Sequence, residues 1–296
     1  VIALTAVMAD GSVVRTASRA RKSSAGYDLT RLIVGSEGTL GIITEVTLRL
    51  EGIPEAISAG LCPFPSVRAA CDTVIATIQT GIPVARIELL DANAIRATNA
   101  YSKLSLAETP TLFVEFHGSA AGVAEQAESF GAIAREMGAG AFESATRPED
   151  RSRLWQARHD AYWAGRALRP GAMPLSTDVC VPISRLADCV GETEADIATL
   201  GMPTTIVGHV GDGNFHVLVM VDPSNPVEIE RTEGFLGRLA ERAIRMDGTC
   251  TGEHGVGQGK MKYLPIEHGP ALEPMRAIKR ALDPRNILNP GKIFTL

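Results

Sequence analysis

Apolar positions recur along this chain with two periods. Alternation of period two marks strands, and recurrence every three to four residues marks helices. "VIALTAVMADGSVV" reads as two strands joined by an Asp-Gly turn, and "GIITEVTLRL" as a further strand. "EGIPEA" breaks the pattern and is the first boundary candidate. "SVRAACDTVIATIQTG" is apolar at helical spacing and ends on Gly81, a helix-stopping residue. "VARIELLD" and "TPTLFVEFHG" predict strands, with a short helix "ANAIRATNAYS" between them. The amphipathic helix "AAGVAEQAESFGAIAREMGA" follows, then the strand "GAFESAT". "PEDRSRLWQARHDAYWAGRAL" is a helix with Pro148 and Glu149 in its first turn. "TDVCVPIS" predicts a strand; "ISRLADCVGETEADIATLG" and "PVEIERTEGFLGRLAERAIRMDG" predict helices. Strands that pair antiparallel alternate with helices, so the class is α+β.

Between the last two helices, "TTIVGHV" and "NFHVLVMV" flank Asp212-Gly213. That dipeptide predicts a hairpin with a two-residue type I′ loop. In that register Gly211 faces Asn214, Val210 faces Phe215 and His209 faces His216. Opposed residues share a sheet face with Cβ atoms about 4.5–5.5 Å apart, and Asn214 belongs to the same face. Val210, Phe215 and Val217 point to the other. Two imidazoles so placed suit one divalent metal; the alternative is a half-exposed strand with two unrelated histidines.

The segment "CTGEHGVGQGK", residues 250–260, sets Glu253 and His254 among glycines. Neither the phosphate-loop spacing nor Gly-x-Gly-x-x-Gly is met. The glycines permit close backbone approach, which leaves a carboxylate and an imidazole as a candidate third metal ligand and general base. The alternative is a surface loop. "RLIVGSEGTLGIITEV" carries Gly35, Gly38 and Gly41 between what read as two strands, a turn whose N–H groups can cradle phosphate or flavin oxygens. On the helix that opens at Pro148, Trp155, Arg158, Tyr162 and Arg166 share one face, and Arg158 could clamp a carboxylate through a bidentate pair.

The 296 residues suffice for one large domain or two smaller ones. A net charge of −5 without a basic, aromatic-interleaved block argues against nucleic acid. No apolar run approaches the ~20 residues of a membrane span, and no signal peptide is visible. Five scattered cysteines without Cys-x-x-Cys fit reduced thiols in a cytoplasmic protein. The chain begins with Val, already in strand pattern, and reads as a C-terminal portion of something longer.

Taken in order, "GSEGTLGIITE", "LWQARHDAYW", "STDVCVPIS", "GHVGDGNFH", "CTGEHGVGQGK" and "DPRNILNPGK" resemble the FAD-linked oxidases of the vanillyl-alcohol-oxidase superfamily. The branch they resemble most is the cytochrome-linked D-lactate dehydrogenases, with glycolate oxidase subunits and D-2-hydroxyglutarate dehydrogenase as relatives. The resemblance implies an α+β chain: the end piece of an FAD-binding domain (1–52), a ferredoxin-like antiparallel-sheet-and-helix cap domain (53–268) and a C-terminal segment returning to the FAD domain (269–296). It implies a divalent metal, Zn or Mn, on His209, His216 and Glu253, with His254 as catalytic base. Arg158 and Asn214 would bind substrate. Gly35, Ser36, Glu37, Gly38, Thr39, Leu40, Gly41, Ile43 and Asn289 would contact FAD. The implied reaction is oxidation of a small D-2-hydroxy acid to the 2-oxo acid.

Ser176-Thr177 stand where the hydroxyglutarate branch is expected to carry a lysine, which favours a monocarboxylate such as D-lactate. The alternatives are D-2-hydroxyglutarate or glycolate as substrate or, in a different class, a metal-dependent hydrolase. The implied partners are an electron acceptor such as cytochrome c, a quinone or an electron-transfer flavoprotein, and a second copy in a homodimer. The setting is cytoplasmic, with the periphery of the inner membrane as the alternative. The family's first FAD-binding half is expected upstream of Val1, and the portion alone is expected to be inactive.

Overall fold

The computed structural model describes residues 1–296. Two compact units emerge, Val1–Ile53 with Glu253–Leu296, and Pro54–Gly252. The second crossing lies between 252 and 253, not after 268. The reason is hydrogen bonding: Gly257 accepts from the Ile293 N–H, which ties that stretch to the C-terminal segment.

In the first unit β1 (Ala3–Val7) pairs antiparallel with β2 (Val13–Arg15) across the Asp-Gly turn. Helix α1 (Leu29–Ile33) and strand β3 (Ile42–Thr47) follow, and β3 pairs with the other edge of β1. The Gly-rich stretch therefore joins a helix to a strand, not two strands. Asp28 starts that helix by accepting from the Arg31 N–H, and Ile33 anchors it against Leu4 and Ala6.

The second unit is one large antiparallel sheet with helices on both faces. Its elements run β4 (Ala56–Pro63), α2 (Val67–Gln79), β5 (Val84–Leu90), α3 (Ala92–Ser102), β6 (Thr111–Gly118), α4 (Ala120–Glu136) and β7 (Glu143–Ala145). Then come α5 (Pro148–Ala167), β8 (Met173–Ser176), β9 (Val179–Cys180), α6 (Leu186–Ile197), β10 (Thr204–Gly208), β11 (Asn214–Val221) and α7 (Pro226–Arg245). The strand order is β7-β4-β6-β5-β10-β11-β8, and β9 also pairs with β11. Its first half, β7-β4-β6-β5 with α2 and α4 as crossovers, has ferredoxin-like topology. Local signals start the helices: Ser66, Asp91 and Ser119 each cap with a side-chain oxygen, and Pro148 occupies the first turn of α5.

Period-two patterning divides the sheet chemically. Leu112, Val114, Phe116, Phe215, Val217 and Val219 point to a hydrophobic core with residues of α2, α4, α6 and α7. Each such buried side chain stabilises by about 1.5–3 kcal/mol. The opposite face, under α3 and α5, packs Phe113 and Leu90 against Trp155 and Ala161. That face also carries Arg86, Glu88, Glu115, Asn214 and His216, because each sits an even number of residues from an apolar neighbour facing the same way.

The remainder of the chain, in the first unit, holds α8 (Leu264–His268) and α9 (Leu272–Leu282). Lys279 of α9 is 3% exposed. Its ammonium donates to Asp283 and to the carbonyls of Thr39 and Leu288, so one buried cation clamps the Gly-rich stretch to the C-terminal turn. No helix is long and apolar enough to cross a membrane.

Candidate functional site

The two hairpin histidines come together by a register different from the expected one. β10 and β11 pair Ile206 with Val217 and Val207 with His216, so His209 does not face His216. The loop is wider than two residues. A 3₁₀ turn at Val210–Asp212 precedes Gly213, whose φ is +79°. A Cβ at Gly213 would lie 2.0 Å from the Val181 carbonyl oxygen, so that wall is closed to any other residue. β10 also pairs with β5, Val207 with Leu90 and Gly208 with Leu89. One step further in that register sets His209 opposite Glu88.

The hydrogen bonds agree with the observed register. His209 Nδ1 lies 2.7 Å from Glu88 Oε1, and His216 Nδ1 lies 3.1 Å from the Thr177 carbonyl oxygen. A carbonyl and a carboxylate only accept, so both imidazoles donate through Nδ1, and Nε2 is the nitrogen that a cation would meet. The rings stand edge to face with centroids 5.7 Å apart.

Arg158 of α5 enters the same constellation. Its Nε donates to Glu88 Oε2 at 3.0 Å, so one buried carboxylate joins the histidine to the arginine. Trp155, one turn earlier, holds α5 in place. Its indole N–H donates to Glu115 at 2.6 Å, its ring meets Phe113 with centroids 6.3 Å apart, and the Arg86 guanidinium stacks 3.8 Å above it. Burial would raise the Glu115 carboxyl, but hydrogen bonds from His117, Arg86 and Trp155 hold it below the ordinary range. Tyr162 and Arg166 stay at the surface, where Arg166 lies over the Tyr162 and Trp163 rings.

Asn214 lies two residues from His216 on β11. β8 and β9 share one register against that strand, which sets the buried Asp178 opposite His216. Asp178 Oδ1 accepts from Asn214 Nδ2 at 2.8 Å and lies 3.7 Å from His216 Nδ1, while Oδ2 accepts from Thr251 Oγ1 at 2.9 Å. Asn214 Oδ1 is buried with no donor beside it. The donor set fits a divalent cation: two imidazoles with Nδ1 committed, and an orphaned acceptor that a cation or a hydroxyl would satisfy. Thr251 leads through Gly252 to Glu253. A Cβ on Gly252 would lie 1.9 Å from Asn214 Nδ2, so the backbone passes close against that amide.

Glu253 and His254 open the second stretch of the first unit. Both are half-exposed, and His254 Nε2 is 3.8 Å from Glu253 Oε1. The loop beyond them curves at Gly255 and Gly257, both at positive φ. Its concave side binds a carboxylate of the chain itself: Glu37 accepts from the N–H groups of Val256 at 2.6 Å and Gly257 at 2.8 Å. Glu37 is thus tied down by its side chain, and its carbonyl accepts from Asn289 Nδ2. A cavity of about 220 Å³ is lined by Leu32, Val34, Gly35, Ser36, Leu40 and Phe294 among others. Its apolar wall and the exposed backbone of Gly35 fit one side of a flavin ring. Thr39 is buried and bonds to the Ser36 carbonyl; Gly38 packs near Asn289, Gly41 sits against Met8, and Ile43 is exposed on the edge strand.

Residues 53–293 match the family described as FAD linked oxidases, C-terminal domain. The chain belongs to that family. A probable mitochondrial D-lactate dehydrogenase of Danio rerio is 53% identical over 300 residues, covering 100% of this chain and 60% of that protein. The mitochondrial D-lactate dehydrogenase [cytochrome] of Arabidopsis thaliana is 49% identical, covering 99% of this chain and 52% of that protein. Glycolate oxidase subunit GlcD of Bacillus subtilis is 38% identical, covering 99% and 63%. The chain therefore spans only about half to two thirds of the length of these relatives. Among solved structures, 4-ethylphenol oxidase from Gulosibacter chungangensis superposes with a TM-score of 0.76 at 18% identity, covering 99% of this chain and 66% of that one. That likeness concerns the fold alone.

Within this FAD-linked oxidase domain, two site residues escaped sequence reasoning. Glu88 and Asp178 were read only as parts of strands. The available signal was placement: in "VARIELLD" the charges Arg86 and Glu88 alternate on one face of an otherwise apolar strand. A charge there is buried and must find a partner.

Proposed function

We propose that the protein to which this chain belongs oxidises a small D-2-hydroxy acid, with D-lactate as the preferred substrate, to the corresponding 2-oxo acid. The observation that carries the reading is the constellation on the α5-side face of the large sheet. Two imidazoles offer Nε2, and an arginine beside them is held by the carboxylate that also holds one imidazole. The names of the relatives support the same chemistry, and the cytochrome-type relatives support a cytochrome as electron acceptor.

In this reading unit Pro54–Gly252 is the substrate-binding cap, and the other unit supplies part of the flavin site through residues 35–43 and Asn289. Residues 35–43 and Asn289 would contact FAD, which would supply the acceptor for the hydride equivalent from the substrate α-carbon. His209, His216 and Glu253 would hold a Zn or Mn ion, which would polarise the hydroxyl and lower its pKa. Arg158 grips the carboxylate through its terminal nitrogens. Asn214 offers Oδ1 to the substrate side of the site. His254 removes the hydroxyl proton, a task suited to an imidazole near neutral pH. Ser176 takes no cationic role, which suits a substrate with a single carboxylate.

Stopped-flow flavin reduction by the full-length protein tests this. D-lactate should bleach the flavin faster than D-2-hydroxyglutarate. His254→Ala should keep metal but slow reduction by roughly 10²–10⁴-fold, the usual worth of positioned proton transfer; Glu253→Ala should lose metal and activity together. Loss of metal in His254→Ala with retention in Glu253→Ala would exchange the two roles.

A further inference from the structure

We propose that Glu88 is the positioning residue of this site: a single buried carboxylate that sets the tautomer of His209 and the presentation of Arg158 together. The inference rests on the metal and substrate reading above and deepens it.

Each Glu88 oxygen has one partner. Oε1 accepts from His209 Nδ1 at 2.7 Å and Oε2 from Arg158 Nε at 3.0 Å. The three side chains come from β5, the turn after β10, and α5, elements that meet only through tertiary packing. The Glu88 side chain is 8% exposed and that of Arg158 17%, so water competes weakly for either bond. On His209 the bond keeps the proton on Nδ1, directs the Nε2 lone pair outward and raises its basicity as a ligand. On Arg158 it occupies the Nε edge. The end-on fork, Nη1 with Nη2, is then the one presented to a substrate carboxylate.

An amide at this position would break the arrangement without changing its size. Gln has one acceptor oxygen and one NH₂, so it satisfies His209 or Arg158 but sets a donor against the other. His209 and Arg158 therefore depend on one group, and a defect at Glu88 should appear in both metal and carboxylate binding.

The test begins with the parent chain, metal-free and ¹⁵N-histidine labelled, in which long-range nitrogen–proton NMR reports each tautomer. His209 should be the Nδ1–H form; the Nε2–H form overturns the proposal without any variant. Metal-free chain is next titrated with Mn²⁺ or Zn²⁺ alone against a competing chelator. Glu88→Gln should weaken binding by about 10–100-fold, the usual effect of losing an outer-sphere carboxylate. In the full-length enzyme with Mn²⁺ in excess, the residual defect should fall on the KM for D-lactate, with kcat changed much less. A variant with lower Tm but parental metal affinity and KM would make Glu88 a purely structural residue and overturn the inference alone. A parent chain that takes up no ion would overturn the metal reading, and this inference with it.

Discussion

Glu88 and Glu115 lie on neighbouring strands of one sheet, on the same face, and each holds an arginine and a histidine. They nevertheless build different things. Glu115 is saturated: Arg86 reaches both oxygens at 3.0 Å, His117 lies at 2.8 Å and the Trp155 indole at 2.6 Å. His117 sits two residues along its own strand, its ring partly in solvent and bonded through Nε2. The cluster pins α5 to the sheet. Glu88 instead has one bond to each partner, and its histidine is held through Nδ1 beside a second imidazole. The same residue types thus make a strut in one place and, in the proposed reading, a ligand set in the other. What separates them is which ring nitrogen is taken and whether the guanidinium fork is already filled.

The largest expected effect breaks the comparison directly. His209→Ala or His216→Ala should remove nearly all bound divalent metal, because two remaining ligands rarely hold a zinc-like ion tightly. His117→Ala should keep it. Elemental analysis of the three variants decides, and equal metal loss in all three would mean the clusters do not differ as described.

Stability is where Glu115 should dominate. Glu115→Ala leaves the Trp155 N–H buried without an acceptor, at a cost of about 1–3 kcal/mol in unfolding free energy. The pH dependence carries a sign. The Glu115 carboxyl is held below its ordinary value, so its contribution is present above an unfolded pKa near 4.5 and is lost as pH falls through the folded value. Glu115→Gln should flatten that acid limb in urea melts at stepped pH. An unchanged limb would show that the strut does not act through its charge.

A third carboxylate sharpens the contrast with the smallest effect. Asp91 directly follows the strand of Glu88 and caps α3, accepting from the Ala94 N–H at 2.7 Å. Burial pushes its carboxyl up to about 7, against an ordinary 3.8. Its favourable contribution is therefore complete below about pH 3.8 and lost as pH rises through about 7. Asp91→Asn, which keeps a good cap, should gain on the parent between pH 5 and pH 8 in urea midpoints. A pH-independent difference between the two proteins would contradict this.

Much of the fold was legible in the chain. Period-two runs located β5, β6, β10 and β11, helical spacing located α2, α4, α5 and α7, and Pro148 marked the start of α5, whereas the strand β4 was not read from the chain. These signals are local, since a side chain's face follows from its own backbone. The hairpin register was not legible. Asp-Gly predicts a two-residue loop, but contact between Gly213 and the Val181 carbonyl and pairing of β10 with β5 favour a wider turn. His209 and His216 still meet, because His209 lies two residues beyond Val207, the partner of His216, and so stays on the same face.

The sequence by itself determined the alternation of faces, the family and the residue types able to do the chemistry. The tertiary structure decided which buried charge meets which. Glu88 and Glu115 look alike in "RIEL" and "VEFH", and nothing local distinguishes their partners. The neighbour of a buried carboxylate comes from elements distant in sequence. Desolvation makes an unpaired charge so costly that their packing must supply a partner there.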